Sequence, residues 1–149
     1  MRIALASDHR GFKLKNFLTE FLKAKGHEVV DFGTHSSEPC DYPDYVYAAA
    51  VSVRQKKADR AIAICYTGIG SSIVANKVRG VRAALVTDIK SARLTRKHND
   101  TNVLILPAYN SKKDYIGRIV SVWLNTGFEG GRHARRLKKI QEIEERENV

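Results

Sequence analysis

The chain has 149 residues, of which 43% are hydrophobic and 28% are charged, a balance typical of soluble globular proteins. This length favours a single domain over residues 1–149 with a substantial core. No stretch approaches the ~20 apolar residues of a membrane span, and Met1 leads directly into a predicted strand, which leaves no room for a signal peptide. Two cysteines argue against a disulfide scaffold and favour a cytoplasmic protein.

The net charge of +10 is concentrated in two segments. Residues 77–97 carry seven Lys or Arg side chains against one Asp, and residues 132–139 carry five with no acid. Concentrated positive charge indicates an anionic partner, either nucleic acid or a small phosphorylated metabolite. For most of these side chains a solvated helix face is an equally simple interpretation.

The first half of the chain alternates short apolar runs with segments of helical periodicity. Apolar residues at i, i+3, i+4 and i+7 predict the inner face of a helix, and short apolar runs predict buried strands. In chain order the predicted elements are a strand over residues 3–7, a helix with its apolar face from Leu14 to Leu22 that Gly26 ends, a strand over residues 28–31, a polar loop over residues 33–43, and a helix capped by Asp41 with its apolar stripe from Tyr42 to Val53.

The second half continues the alternation. Its predicted elements are a strand over residues 61–64, a short helix to about Val78, a strand over residues 81–86, a helix from Asp88 as cap through His98, a strand over residues 103–106, a helix that ends near Gly127, and a charged helix from Arg132 to Glu147. Repeated strand–helix units predict a Rossmann-like, doubly wound three-layer α/β/α fold with a five-stranded parallel sheet. The order of the fourth and fifth strands stays open.

The carboxyl ends of parallel strands share one edge of the sheet, where ligands of such folds bind. The segments Asp8–His9 and Cys65–Ser72, together with Asp88, follow predicted strands. We therefore expect one site at this edge.

The Gly-rich segment after the third predicted strand is the central candidate. A strand, a Gly-rich turn and a helix start direct several backbone N–H groups at one point, which suits a phosphate or a developing oxyanion. Cys65 lies at the lip of this turn, where the helix dipole and oriented amides lower a thiol pKa. A tight turn beside a small buried cysteine explains the same residues without chemistry.

The last predicted helix has few apolar positions, namely Leu137, Ile140 and Ile143. Such a thin stripe at the end of a chain indicates packing on a partner subunit, with a loosely docked terminal helix as the alternative.

Five motifs in this order resemble type B ribose-5-phosphate isomerases, in the family that includes galactose-6-phosphate isomerase subunits. They are Ala6-Ser-Asp-His-Arg-Gly-Phe12, Cys65-Tyr-Thr-Gly-Ile-Gly70, Ala75-Asn-Lys-Val78, Arg96-Lys-His-Asn99 and Phe128-Glu-Gly-Gly-Arg-His-Ala-Arg-Arg136. The resemblance implies metal-independent, cofactor-free interconversion of ribose 5-phosphate and ribulose 5-phosphate through an enediolate. It also implies a homodimer or tetramer with active sites shared between subunits. An isomerase of a six-carbon sugar, allose or galactose 6-phosphate, is the alternative.

The resemblance also implies a role for individual residues. Cys65 is the base that moves a proton between C1 and C2. The backbone amides of Gly68, Ile69, Gly70, Ser71 and Ser72 hold the enediolate oxygens. Asp8, Thr67 and His98 open the furanose ring, Asn99 orients the substrate, and His9, Arg132 and Arg136 bind its phosphate. The remaining histidines, His27, His35 and His133, are expected at the surface.

Three positions depart from the family pattern. Tyr66 stands where relatives usually have Gly, and Tyr109 stands where they commonly have an Arg that helps to bind phosphate. Ser71 stands where some relatives use Glu as the base, which makes Cys65 the better candidate for this role.

Two other classes of function fit less well. A nucleic-acid-binding module lacks a surface motif of aromatic and basic residues. A nucleotide-binding regulatory domain lacks the full dinucleotide fingerprint, because Ile73 stands where the third Gly is required. We therefore expect a phosphorylated sugar as ligand, and neither nucleic acid nor a membrane as partner.

Overall fold

The computed structural model describes residues 1–147. Within them the strands are β1 (Arg2–Ser7), β2 (Glu28–Asp31), β3 (Arg60–Cys65), β4 (Ala83–Leu85) and β5 (Val103–Pro107). The helices are α1 (Phe12–Ala24), α2 (Tyr42–Arg54), α3 (Ile69–Ala75), α4 (Ile89–Asn99), α5 (Lys113–Asn125) and α6 (Arg132–Glu147). None of these helices is both long enough and apolar enough to cross a membrane.

The strands form one parallel sheet in the order β2-β1-β3-β5-β4. The chain moves outward from β1 to β2, returns past β1 to β3, and later inserts β5 between β3 and β4. The strand order therefore reverses between β1 and β3, which is the position where doubly wound sheets bind ligands at their carboxyl edge. The predicted fold class is confirmed, and the order of the last two strands is now known.

Side chains of different size cover the two faces of the sheet. Successive strand residues point to opposite faces, so Ile3 and Leu5 of β1 face α1, α4 and α5, where Trp123 is fully buried. Ala4 and Ala6 of the same strand face α2 and α3. Small side chains on this second face let α2 and α3 pack close to the sheet, and this packing supports the turn that follows β3.

Two elements are shorter than the sequence predicts. β4 was expected over residues 81–86, but Val81 closes a turn on Val78 and the N–H of Arg82 donates to the side chain of Asn102 at 2.8 Å. α3 was expected to reach Val78, but the amide of Asn76 bonds to the carbonyl of Ala83 at 3.0 Å and leads the chain into β4. Side-chain bonds of Asn76 and Asn102 thus hold this connection together with its backbone bonds.

The two predicted helix caps behave differently. Asp88 caps α4, because its Oδ1 accepts the N–H of Ser91 at 2.8 Å and its Oδ2 accepts the hydroxyl at 2.7 Å. These bonds to Ser91 lower the pKa of the Asp88 carboxyl. Asp41 precedes α2 as predicted, but its side chain makes no capping hydrogen bond among the described residues.

Candidate active site

The predicted site residues lie in two groups at opposite edges of the sheet. The carboxyl-edge group follows β1 and β3 and consists of Asp8, His9, Cys65, Thr67 and residues 68–72. The amino-edge group lies at the end of α4 and the start of α6 and consists of His98, Asn99, Arg132 and Arg136. Because β3 has six residues, the two edges are about 17 Å apart. One chain therefore does not bring Cys65 and His98 together.

Contacts at the amino ends of the strands fix the second group. Asp100, which ends α4, pairs with Arg82 and with Arg96 at 2.8 Å each. The side chain of Glu144 in α6 accepts the N–H of Gly80, just before β4, at 3.2 Å. α6 therefore lies beside the amino end of β4, far from the turn that carries Cys65.

Asp8 is held rigidly at the end of β1. Its Oδ1 accepts the N–H of Gly11 at 2.9 Å, and its own N–H donates to the carbonyl of Ile64 in β3 at 3.3 Å. Gly11 fits this turn because it has no side chain, since a Cβ there would lie 2.8 Å from Cγ2 of Ile64. The carboxylate of Asp8 is thus fixed beside the end of β3.

The loop before α2 orients His9. Its Nδ1 lies 3.2 Å from the amide nitrogen of Cys40 and 3.3 Å from the carbonyl oxygen of the same residue. Nδ1 can accept from the first when it carries no hydrogen and donate to the second when it carries one. Nε2 remains available for a ligand. Sequence reasoning missed this role of Cys40, because no periodic signal links the two loops.

The predicted Gly-rich turn follows β3 directly, and Cys65, 5% exposed, is the last residue of the strand. Gly68 has φ +78° and lies against Leu85, whose Cδ1 would be 2.4 Å from an added Cβ. The N–H of Ile69 donates to Oγ1 of Thr67 at 3.3 Å. Among residues 1–147 the N–H groups of Gly70 and Ser71 donate no hydrogen bond. The turn thus offers free backbone donors beside the thiol.

Tyr42 covers this turn, a position that sequence reasoning did not assign to the site. A Cβ added at Gly70 would lie 2.5 Å from the phenol oxygen of Tyr42, so the ring lies directly against the turn. The sequence placed Tyr42 only on the apolar stripe of α2. Its position as the first residue of that helix was the only available signal.

His133 joins the amino-edge group, and the prediction that it lies at the surface is wrong. Its ring stacks on that of His98, with centroids 4.2 Å apart and planes inclined by 12°. His133 is 4% exposed and its Nε2 is buried without a partner among the described residues. Burial, reinforced by the charges of His98 and Arg132, lowers the pKa of His133. The N–H of Glu129 anchors this contact by donating to the carbonyl of Lys97 at 3.0 Å.

The other histidines and the arginines of α6 differ in exposure. His35 is exposed as predicted, whereas His27 is half-buried. Arg132 and Arg136 are both exposed and lie one turn apart on α6, so they share a face of the helix.

His98, Glu129 and His133 place potential metal-ligand atoms within 4.8 Å of one another. Imidazole donates to a metal through a lone pair in the plane of the ring, so two stacked and nearly parallel rings do not converge on one ion. The geometry fits an aromatic stack better than a metal centre.

Known proteins match this chain over nearly its whole length. The family model described as Ribose/Galactose Isomerase matches residues 3–140. Ribose-5-phosphate isomerase B of Escherichia coli (strain K12) is 44% identical over 147 residues, which cover 99% of each chain. The structure of Clostridium thermocellum ribose-5-phosphate isomerase B is similar with a TM-score of 0.96 at 49% identity, over 98% of this chain and 99% of that one. The Mycoplasma genitalium ribose-5-phosphate isomerase B, solved with bound ribulose-5-phosphate, has a TM-score of 0.93 at 42% identity, over 97% and 96%. The chain therefore belongs to the ribose/galactose isomerase family.

Proposed function

We propose that this chain interconverts ribose 5-phosphate and ribulose 5-phosphate and that it needs no metal or organic cofactor. The observation that carries the proposal is the position of Cys65, a thiol at the end of β3 beside the free amides of Gly70 and Ser71. Relatives of nearly the same length and fold are ribose-5-phosphate isomerases, and one of them was solved with the ketose product bound. No observation favours a six-carbon sugar phosphate.

In the proposed reaction the thiolate of Cys65 removes the proton from C2 of the open-chain aldose. The electron pair forms the C1–C2 double bond, and the aldehyde oxygen becomes an oxyanion that the turn amides stabilise. The same proton is returned to C1, while the proton of the C2 hydroxyl moves to O1. This sequence converts the aldehyde to an alcohol and the C2 alcohol to a ketone without an external oxidant.

Ring opening must precede this step, because the furanose has no aldehyde. We assign it to Asp8, Thr67 and His98, with one group taking the proton of the C1 hydroxyl and another protonating the ring oxygen. Asp8 and Thr67 lie at the carboxyl edge, whereas His98 lies at the amino edge. His98 therefore serves the site of a second copy of the chain.

We accordingly infer a homodimer, or a tetramer built from such dimers, with shared active sites. The partner copy would supply His98 and Asn99, together with Arg132 and Arg136 for the phosphate that His9 also binds. Exposed apolar side chains are available to bury between the copies. They are Ile69 and Ile73 on α3, each 56% exposed, and Ile140 and Ile143 on α6.

Phosphate binding also explains the charge at the start of α6 without nucleic acid. The family model extends through this segment to residue 140. We place the reaction in the cytoplasm, because both cysteines are free thiols and the proposed mechanism needs Cys65 reduced.

Ketose formation from a panel of five- and six-carbon aldose phosphates, measured with and without chelator, tests the proposal. We expect ribulose 5-phosphate from ribose 5-phosphate at the same rate in both conditions. The absence of activity on every aldose phosphate would overturn the isomerase assignment, and loss of activity with chelator would overturn metal independence.

A further inference from the structure

Three side chains that the proposed mechanism does not use meet at the carboxyl edge of the sheet. Arg10 comes three residues after β1, Tyr66 directly follows β3, and Tyr109 comes two residues after β5. Since β3 lies between β1 and β5, Tyr66 occupies the middle of this row. We call these residues the arginine–tyrosine cluster.

Contacts within the cluster fix the guanidinium of Arg10. Its Cζ lies 4.6 Å from the centroid of the Tyr66 ring, within the range of a cation–π interaction. The Tyr66 and Tyr109 rings have centroids 5.7 Å apart and planes inclined by 50°, which is a favourable aromatic arrangement. The N–H of Tyr109 also donates to the carbonyl of Tyr66 at 3.1 Å. The guanidinium is thus held against the ring of Tyr66, the residue that directly follows β3.

The donors of this guanidinium are unused. Among residues 1–147 Arg10 forms no ion pair and no side-chain hydrogen bond. Tyr66 and Tyr109 are 48% and 50% exposed, so the cluster faces the solvent at the carboxyl edge of the sheet. A planar guanidinium with free N–H groups is suited to bind a phosphate through two parallel hydrogen bonds.

We infer that Arg10 binds the phosphate of the substrate and that Tyr66 and Tyr109 position it. The inference rests on the proposed function, because the phosphate belongs to a sugar whose C1 and C2 lie at Cys65. Arg10 lies against Tyr66, and Tyr66 in turn contacts Tyr109. Arg10 therefore supplies a positive charge to the arginine–tyrosine cluster, to which the segment after β5 contributes the uncharged Tyr109. The separation between the Cys65 thiol and this guanidinium then sets which length of sugar phosphate is bound.

Steady-state kinetics of single variants of the full chain test the inference. Arg10→Ala should raise KM for ribose 5-phosphate about ten- to a hundredfold with little change in kcat, because a phosphate contact far from the reacting carbons acts equally in the ground and transition states. Lys13→Ala is the matched control, since it removes the same charge from an exposed position three residues along the chain. Its KM should change less than about twofold. Arg10→Lys should fall between, because the ammonium lacks the planar fork.

The positioning role of Tyr66 in the arginine–tyrosine cluster has its own test. Tyr66→Phe retains the aromatic face and should keep the parental KM, whereas Tyr66→Ala should raise KM toward that of Arg10→Ala. Inorganic phosphate, used as a competitive inhibitor, should bind more weakly to Arg10→Ala by the same factor as the substrate. A parental KM in Arg10→Ala, or equal losses in Arg10→Ala and Lys13→Ala, would overturn the inference.

Failure of the proposed function would be recognised separately. If the parent protein did not isomerise ribose 5-phosphate, the activity assignment would fail, but calorimetric titration with inorganic phosphate would still decide the role of Arg10. Weaker phosphate binding by Arg10→Ala than by Lys13→Ala would support it, and equal affinities would overturn it.

Discussion

The two edges of the sheet carry different sets of polar and charged groups. The carboxyl edge has a thiol, a carboxylate and free backbone donors on short, rigid turns. The amino edge has a stacked histidine pair and exposed arginines on helices. The first half suits proton abstraction and oxyanion stabilisation, and the second suits proton exchange and phosphate binding. The proposed function needs both halves, which is why we propose that one chain assembles with another.

The halves also differ in how they are supported. Strand ends and small-residue packing fix the carboxyl edge, as Gly11 and Gly68 show by their close contacts with Ile64 and Leu85. Contacts of loops with helices distant in the sequence fix the amino edge, through Glu129 with Lys97 and Gly80 with Glu144. Substitutions of the buried groups of the first edge should therefore act locally, whereas substitutions at the second edge should also disturb the docking of α6.

The largest effect is expected for Cys65→Ala. Loss of the base should lower kcat by roughly 10²–10⁴-fold while phosphate binding and the fold are retained, because the amides of the turn are unchanged. Cys40→Ala is the matched control, since it keeps the backbone contacts of Cys40 with His9 at 3.2 and 3.3 Å and removes only a sulfur 4.0 Å from Nδ1. Steady-state kinetics of both variants measure kcat, and circular dichroism checks that the fold is retained. An active Cys65→Ala enzyme would transfer the role of base to another residue, with Asp8 the first to test.

Mixing two inactive variants tests whether the two edges act in one chain or across two. Cys65→Ala and His98→Ala subunits, denatured together and refolded, should recover about one quarter of the parental activity, because half of the random dimers are hybrids with one intact site. Each variant refolded alone is the control and should remain inactive. Absence of recovery, with hybrid dimers demonstrated by mass spectrometry, would place His98 and Cys65 in independent functions.

Within the amino edge, Arg136→Ala should weaken substrate binding about ten- to a hundredfold, as expected for the loss of a charge-assisted phosphate contact of roughly 1.5–3 kcal/mol. Arg135→Ala removes the same charge from a position about 100° away around α6 and should have much less effect. Calorimetric titration with ribose 5-phosphate measures both. Equal losses would indicate a diffuse basic surface in place of a phosphate clamp.

Local patterns were enough to predict the fold and the carboxyl edge. The turn over residues 67–72 and the cap at Asp88 are determined by residues close in sequence, so periodicity and turn chemistry identify them. The parallel sheet follows from the alternation of strands and helices, which also places Asp8 and Cys65 at the same edge. That their strands β1 and β3 are neighbours is known only from the structure.

Contacts between distant segments could not be predicted in this way. His133 lies next to three basic positions of a charged helix, and only the docking of α6 on α4 buries it against His98. The contact of His9 with Cys40 joins two loops that carry no periodic signal. The separation of His98 from Cys65 follows from topology alone, since a helix that links parallel strands ends at the amino edge.

The smallest expected effect concerns the buried histidine of the amino edge. The folded chain lowers the pKa of His133, so below its ordinary value of 6.5 the unfolded chain binds a proton that the folded chain excludes. The contribution of neutral His133 to the free energy of unfolding is therefore fully present above pH 6.5, and it is lost as the pH falls from there through the lowered pKa of the folded chain.

His133→Phe keeps an aromatic face against His98 but does not titrate, so the free energy of unfolding of this variant should fall less over this pH range. Urea unfolding at a fixed protein concentration measures the difference. Values well above pH 7 serve as the control for packing, because His133 is then neutral in the folded and the unfolded chain. Parallel pH dependences for the parent and His133→Phe would show that His133 takes up its proton equally in the folded and unfolded chain.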